Sequence, residues 1–327
     1  MLADRSIVEN QVFSTAQYDL VYYFLVITAF GLVAGFLYSW TGRDEVSARY
    51  RPAVVASLCI TGIATLSYLV LIIKWDSGYT LVGDHYVPGP AARFSVVPRY
   101  MDWSITVPLL TAELIAVCAV AGKKARNLRA STMIAAFLMI LTGFIGAKVI
   151  DQGTNVGALV LWGLISTLFM CYLYPVLMFA VRDSLGTLSP EAGHTLKMAV
   201  TLLLSVFVVY PLVFAIPVFF NPTARWTTGI QIAFSVADVT AKVGFGALIH
   251  KVAKLRTAQD ILEGTDTHPE PVWISQVEYS PGVQPALKEV LVGSTSALTP
   301  ALGRQEQGLG RSAGRPSRGS TNPEATI

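Results

Sequence analysis

Four ionisable side chains lie in stretches of sequence that are otherwise apolar. Asp102 and Glu113 share the run at about 97–121, with Thr106 between them, and Asp238 and Lys242 share the run at about 227–250. A charge inside such a run is costly, so it faces other protein and marks a candidate site. Asp102, Thr106 and Glu113 fall at i, i+4 and i+11, which returns all three to one helix face. Their two carboxylates are then about 16 Å apart along the axis, able to serve opposite halves of one pathway. Asp238 and Lys242 are one turn apart, close enough for the carboxylate to offset a lysine charge. A lysine amine condenses with carbonyl compounds to an imine, and a protonated imine would be stabilised by Asp102 and Asp238. The alternative is a buried Asp238–Lys242 ion pair that only fixes helix packing.

The elements that must position these residues follow from composition. Of 327 residues, 53% are hydrophobic and only 14% charged, with a net charge of +3. Such a chain is an integral membrane protein. The small net charge and the absence of a basic stripe exclude a nucleic-acid-binding protein, and secreted and collagen-like classes are excluded too. Apolar runs at about 17–40, 52–74, 97–121, 130–150, 156–181, 198–220 and 227–250 are each long enough to cross a bilayer. Unbroken runs without alternation predict a bundle of seven transmembrane helices rather than a barrel. Cys59, Cys118 and Cys171 lie singly in apolar runs and read as small core residues, with no disulfide or metal site expected. The opening MLADRSIVENQ does not read as a cleaved signal, so the first span is expected to direct insertion.

Basic residues set the orientation. Arg43, Arg49 and Arg51 follow span one; Lys123, Lys124, Arg126 and Arg129 read as the loop after span three; Lys251, Lys254 and Arg256 follow span seven. These define the cytoplasmic side of a plasma-membrane protein with its N-terminus (1–16) outside. Residues 17–256 form the membrane domain, and residues 257–327 form a cytoplasmic tail whose Gly, Pro, Ser and Thr content predicts disorder over most of its length. Within it, the stretch around Val272, Trp273, Ile274 and Leu291 reads as solvated linker, with docking on the bundle mouth as the alternative. His85 falls in an external loop, and His194 and His250 fall at cytoplasmic helix ends; all three read as solvated surface residues.

RYMDWSITVPLLTAE at 99–113 and ADVTAKVGFG at 237–246 closely resemble helices three and seven of the microbial rhodopsins, and the resemblance extends over the seven-span region. It implies that Lys242 carries all-trans retinal covalently as a protonated Schiff base, with Asp102 as primary counterion and proton acceptor. Asp238 matches the second counterion, and Arg99 the arginine beneath them. Tyr68, Trp103, Leu110, Met139, Gly143, Ser166, Phe207, Tyr210 and Pro211 fall at retinal-facing positions of the family, and leucine at 110 implies green absorption.

The triplet Asp102, Thr106 and Glu113 resembles that of bacterial outward proton pumps. The implied function is a light-driven ion transporter rather than an enzyme: the proton passes from the Schiff base to Asp102, and Glu113 resupplies it from the cytoplasmic side. The competing expectation is a slow-cycling photosensor that signals through the tail or a transducer. The family further implies lipid surroundings and a trimeric or pentameric assembly. Phe207 and Phe214 stand where well-known pumps have tryptophan, and Gly163 stands in place of an aromatic beside Trp162. FNPTARWTTG lacks the paired glutamates of the archaeal proton-release group, and no histidine accompanies Asp102. Ser57, three turns from Tyr68, is expected to bond its own helix, with a contact to Glu113 as the alternative.

Overall fold

The computed structural model describes residues 11–89, 97–220, 223–265, 272–278 and 286–292. Its first unit, Met1–Gln259, contains the helical bundle. Helices α1 (Thr15–Gly42), α2 (Arg51–Gly78), α3 (Val97–Ala116), α4 (Gly122–Phe144) and α5 (Val156–Leu185) are spans one to five. Span six is made of α6 (Pro190–Phe207) and α7 (Val209–Phe219); span seven is α8 (Ala224–Val239), a π turn (Thr240–Gly244) and α9 (Phe245–Leu262). Six of these spans are long and apolar enough to cross a membrane. The remaining one, α3, has 20 residues and carries Arg99, Asp102 and Glu113, so its charges rather than its length set it apart.

Three helices begin at side-chain caps. Ser14 caps α1 in a capping box: its hydroxyl accepts from Gln17 N–H while the Gln17 side chain accepts from Ser14 N–H. Asn155 and Ser189 cap α5 and α6. Span six, a single apolar run in sequence, is broken at Val208, whose N–H turns to Ser205 O at 3.3 Å. The Leu204 carbonyl released by that shift accepts from the Tyr174 hydroxyl of α5 at 2.7 Å, so the break leaves no orphaned acceptor there.

Three expectations need correction. Lys123, Lys124, Arg126 and Arg129 belong to the first turns of α4 rather than to a loop, because α4 extends beyond its apolar run with residues that favour helix. The last span likewise continues past 256 to Leu262: Thr257 is buried, donates to Ala253 O and accepts from Ser47 N–H, which carries the helix beyond the composition change. Of the three cysteines only Cys118 is buried, while Cys59 and Cys171 are exposed. An apolar run in a membrane chain does not say which face meets lipid and which meets protein.

Short strands at one end were not legible in the apolar pattern. β1 (Phe13–Ser14), β2 (Tyr79–Val82) and β3 (His85–Pro88) form an antiparallel sheet in the order β1-β3-β2, with Phe13 and Leu81 both opposite Tyr86. Gly83 turns the β2–β3 hairpin with φ +65°, a conformation glycine adopts without strain. Tyr18 of α1 stacks on Tyr86 with ring centroids 3.6 Å apart.

The second unit, Asp260–Ile327, contains a hairpin of β4 (Val272–Glu278) and β5 (Ala286–Val292), paired antiparallel from Val272↔Val292 to Glu278↔Ala286. Paired strands therefore stand where composition suggested linker; the remainder of the predicted tail lies outside the described residues.

Candidate functional site

The charged residues of α3 and span seven meet in the middle of the bundle. Lys242, in the π turn, is 2% exposed, and Asp102 and Asp238 are equally enclosed. Lys242 Nζ donates to Asp102 Oδ2 at 2.5 Å and lies 3.3 Å from Asp238 Oδ1. Arg99, fully buried one turn from Asp102 on α3, places Nη1 3.4 Å from Asp238 Oδ2 and 2.6 Å from the Tyr68 hydroxyl, and donates from Nη2 to Gln231 Oε1 at 3.1 Å. Two cations and two carboxylates thus balance in a buried interior, the condition under which buried charge is tolerated.

Asp238 is the most fully bonded member. Its Oδ2 accepts from Tyr68 at 2.8 Å, and its Oδ1 accepts from Trp103 Nε1 at 3.0 Å and from the Tyr210 hydroxyl at 2.9 Å. Asp102 differs: its Oδ1 has no partner, nor do Arg99 Nε and Gln231 Nε2. Buried orphans of this kind point to ordered water or to a group the site is built to receive. Thr106 is buried on the same face, its hydroxyl donating to the Asp102 carbonyl oxygen at 3.0 Å.

An apolar cavity of about 310 Å³ adjoins this cluster. Trp103, Met139, Gly143, Ser166, Phe207, Tyr210 and Pro211 line it. Trp103 and Tyr210 join cavity to cluster, since both donate to the Asp238 oxygen nearest Lys242. Tyr68 bridges Arg99 and Asp238, and Leu110 is buried in the same hydrophobic core as Trp103 and Phe207. Sequence reasoning missed Tyr100, Val107 and Phe234 of the cavity wall, which are indistinguishable in type from ordinary core. It also missed Gln231, for which a polar amide about one turn into an apolar run was an available signal. At Gly163, a Cβ would lie 2.7 Å from Phe214 Cε1, so the two departures noted in the sequence are one arrangement: the phenyl ring fills the glycine notch.

Toward the other end of α3, Glu113 is fully buried, and Ser57 of α2 donates to its Oε1, while Oε2 has no partner. Ser57 therefore takes the alternative given above and does not bond its own helix. His250 also departs from expectation. It is 3% exposed rather than solvated, because Gly42 of α1 leaves a slot for the ring: a Cβ at Gly42 would lie 2.7 Å from His250 Cε1 and Nε2.

Residues 19–255 match the family of bacteriorhodopsin-like proteins. The chain belongs to that family, the microbial rhodopsins. It is 32% identical over 226 residues to cruxrhodopsin-1 of Haloarcula argentinensis, covering 67% of this chain and 84% of that protein. It is 26% identical over 231 residues to the blue-light absorbing proteorhodopsin of Gamma-proteobacterium Hot 75m4, covering 70% and 84%. Among solved structures it superposes on xanthorhodopsin, a light-driven ion pump with dual chromophore, with a TM-score of 0.72 and 30% identity over 79% of this chain and all of that one. The chain is thus a multi-pass membrane rhodopsin, a seven-helix bundle around retinal bound covalently to a lysine. The site fits that cofactor: an apolar cavity for the polyene, and an enclosed amine between two carboxylates for the linkage.

Proposed function

We propose that this rhodopsin is a light-driven outward proton pump in which Lys242 holds the retinal, Asp102 accepts the proton and Glu113 resupplies it. Retinal, joined to Lys242 as a protonated Schiff base, supplies light absorption and the isomerisation that drives the cycle. The chain's residues do the rest. Trp103, Tyr210 and Phe207 orient the polyene, and Asp238, saturated by Tyr68, Trp103, Tyr210 and Arg99, stays a fixed anion beside the cation. Asp102 has an open oxygen and the shortest contact to Lys242 Nζ, which suits it to take the proton from that nitrogen. Glu113, on the same face of α3 but sealed from solvent, suits the return of a proton from the opposite side.

The observation that carries this reading is the buried carboxyl of Glu113, apart from the two beside Lys242. A bundle that only sensed light would need Lys242 and its counterions, whereas a carboxyl tied to Ser57 about 16 Å along the axis from Asp102 serves vectorial transfer. The orientation belongs to the same proposal: the α1–α2 connection, with Arg43 and Arg49, and the first turn of α4, with Lys123 and Lys124, face the cytoplasm.

The test is external pH in unbuffered cells expressing the chain with all-trans retinal under green light. Sustained acidification, abolished by a protonophore and slowed in Glu113→Gln, is expected. A coloured protein that leaves the pH unchanged and recovers over seconds would overturn the pump in favour of a photosensor.

A further inference from the structure

Glu113 is enclosed, so a proton that leaves it must be replaced through other side chains. On α9 the residue opposite it is Gly246, where a Cβ would lie 3.2 Å from Ser57 Oγ and 3.7 Å from Glu113 Oε1. His250 is one turn further on the same face, about 6 Å along the axis. Its ring is buried, with Nε2 3.3 Å from Glu45 Oε2 and Nδ1 without a partner. Glu45 closes the 3-10 turn after α1, and its side chain is 47% exposed. The same Glu45 oxygen takes Lys254 at 2.9 Å. The other group facing the ring is Tyr38 of α1, edge-on with centroids 5.3 Å apart.

These residues form a graded series: a carboxylate half in water, an imidazole wholly inside with one nitrogen on that carboxylate and the other free, then the Ser57–Glu113 pair. A neutral imidazole accepts at one nitrogen and donates from the other, so it can pass a proton without retaining charge. A histidine present only for packing would have both nitrogens paired when so deeply buried. Gly42 makes the seat possible, since any side chain there would strike the ring.

We propose that Glu45 and His250 form the port through which protons reach Glu113, with Gly42 as the residue that positions the ring. The inference rests on Glu113 as the internal donor. A proton from water reaches His250 Nε2 by way of Glu45. The Nδ1 proton then passes across intervening water to the Glu113 carboxylate, and the imidazole is left neutral with its tautomer exchanged. A rotation of the ring or a return proton exchange resets it.

The experiment uses the full chain with retinal in lipid nanodiscs and separates two rates after a flash: proton return to the Lys242 nitrogen, read from the visible spectrum, and proton uptake from bulk, read with a pH dye. His250→Ala and Glu45→Gln should each slow uptake about tenfold or more, leaving internal return at its parent rate, and added imidazole should restore uptake in His250→Ala. Gly42→Ala should slow uptake with both side chains intact. Uptake within about twofold of the parent in both His250→Ala and Glu45→Gln, beside a slowed return in Glu113→Gln, would overturn the port alone. Unslowed return in Glu113→Gln would overturn the donor assignment and the port with it. In the retinal-free chain, ¹⁵N NMR should show the His250 nitrogens shifting in Glu45→Gln; an unmoved spectrum would refute the pairing.

Discussion

Lys242 lies nearer to Asp102, on a different helix, than to Asp238, its neighbour one turn away: 2.5 Å against 3.3 Å. Asp238 has four other partners drawn from spans two, three and six, so its position is dictated from all sides. Asp102 has fewer partners, with Lys242 on Oδ2 and Oδ1 left open. Two chemically identical side chains are thereby given unequal freedom, and only one of them is free to change its protonation without dismantling a network.

Colour should report this inequality. A carboxylate beside the Lys242 nitrogen stabilises the resting distribution of positive charge, and removing it narrows the excitation gap. Acidification should therefore shift the visible band to the red, and Asp102→Asn should be red-shifted already at neutral pH and insensitive to further acid. Asp238→Asn should instead lower pigment yield and thermal stability, since it strands Arg99, Tyr68 and Tyr210. A spectrum unmoved between neutral and acid pH would count against Asp102 as counterion.

Infrared spectroscopy should detect the Ser57 contact. If Glu113 rests protonated, Ser57→Ala removes the donor to its Oε1 and should raise its carboxyl stretching frequency, and Glu113→Gln should delete that band. A band that stays in place in Ser57→Ala would show that the serine does not bond Glu113 in the membrane.

The Gly163 notch gives a packing prediction. Gly163→Ala places a methyl 2.7 Å from the Phe214 ring and should cost about 1–3 kcal/mol in thermal unfolding. In Phe214→Ala the same substitution should cost much less, a coupling that a double-mutant cycle measures.

At the break in span six, Tyr174→Phe leaves the Leu204 carbonyl without its hydroxyl donor. A loss of about 1 kcal/mol is expected, with faster amide exchange confined to the residues around Val208. Exchange unchanged there would show that water serves that carbonyl equally well.

What could be read from sequence was whatever is expensive in a membrane. Asp102, Glu113, Asp238 and Lys242 stood out because a charge in an apolar run demands a reason, and the seven runs stood out because hydrocarbon requires length. What could not be read was which side of a helix faces protein. Cys59 and Cys118 look alike in sequence, yet the first is exposed and the second buried. His250 read as a surface residue because the space that encloses it is supplied by a missing side chain, Gly42, more than two hundred residues away. The Tyr174 bond at the break in span six and the three short strands likewise rest on hydrogen bonds made between elements, which hydropathy does not record.

The crossed pairing of the four central charges bears on how such a chain enters a bilayer. Span three carries its own cation and anion, Arg99 and Asp102, within one turn, and span seven carries Asp238 and Lys242 within one turn. Each can neutralise itself while it is being threaded into lipid as a solitary helix. In the finished bundle pairs across the two segments are added, Arg99 on Asp238 and Lys242 on Asp102, while Lys242 keeps Asp238 at 3.3 Å. The residues that let each segment insert alone are then the ones that hold the two segments together, so biosynthesis and assembly draw on a single set of four side chains.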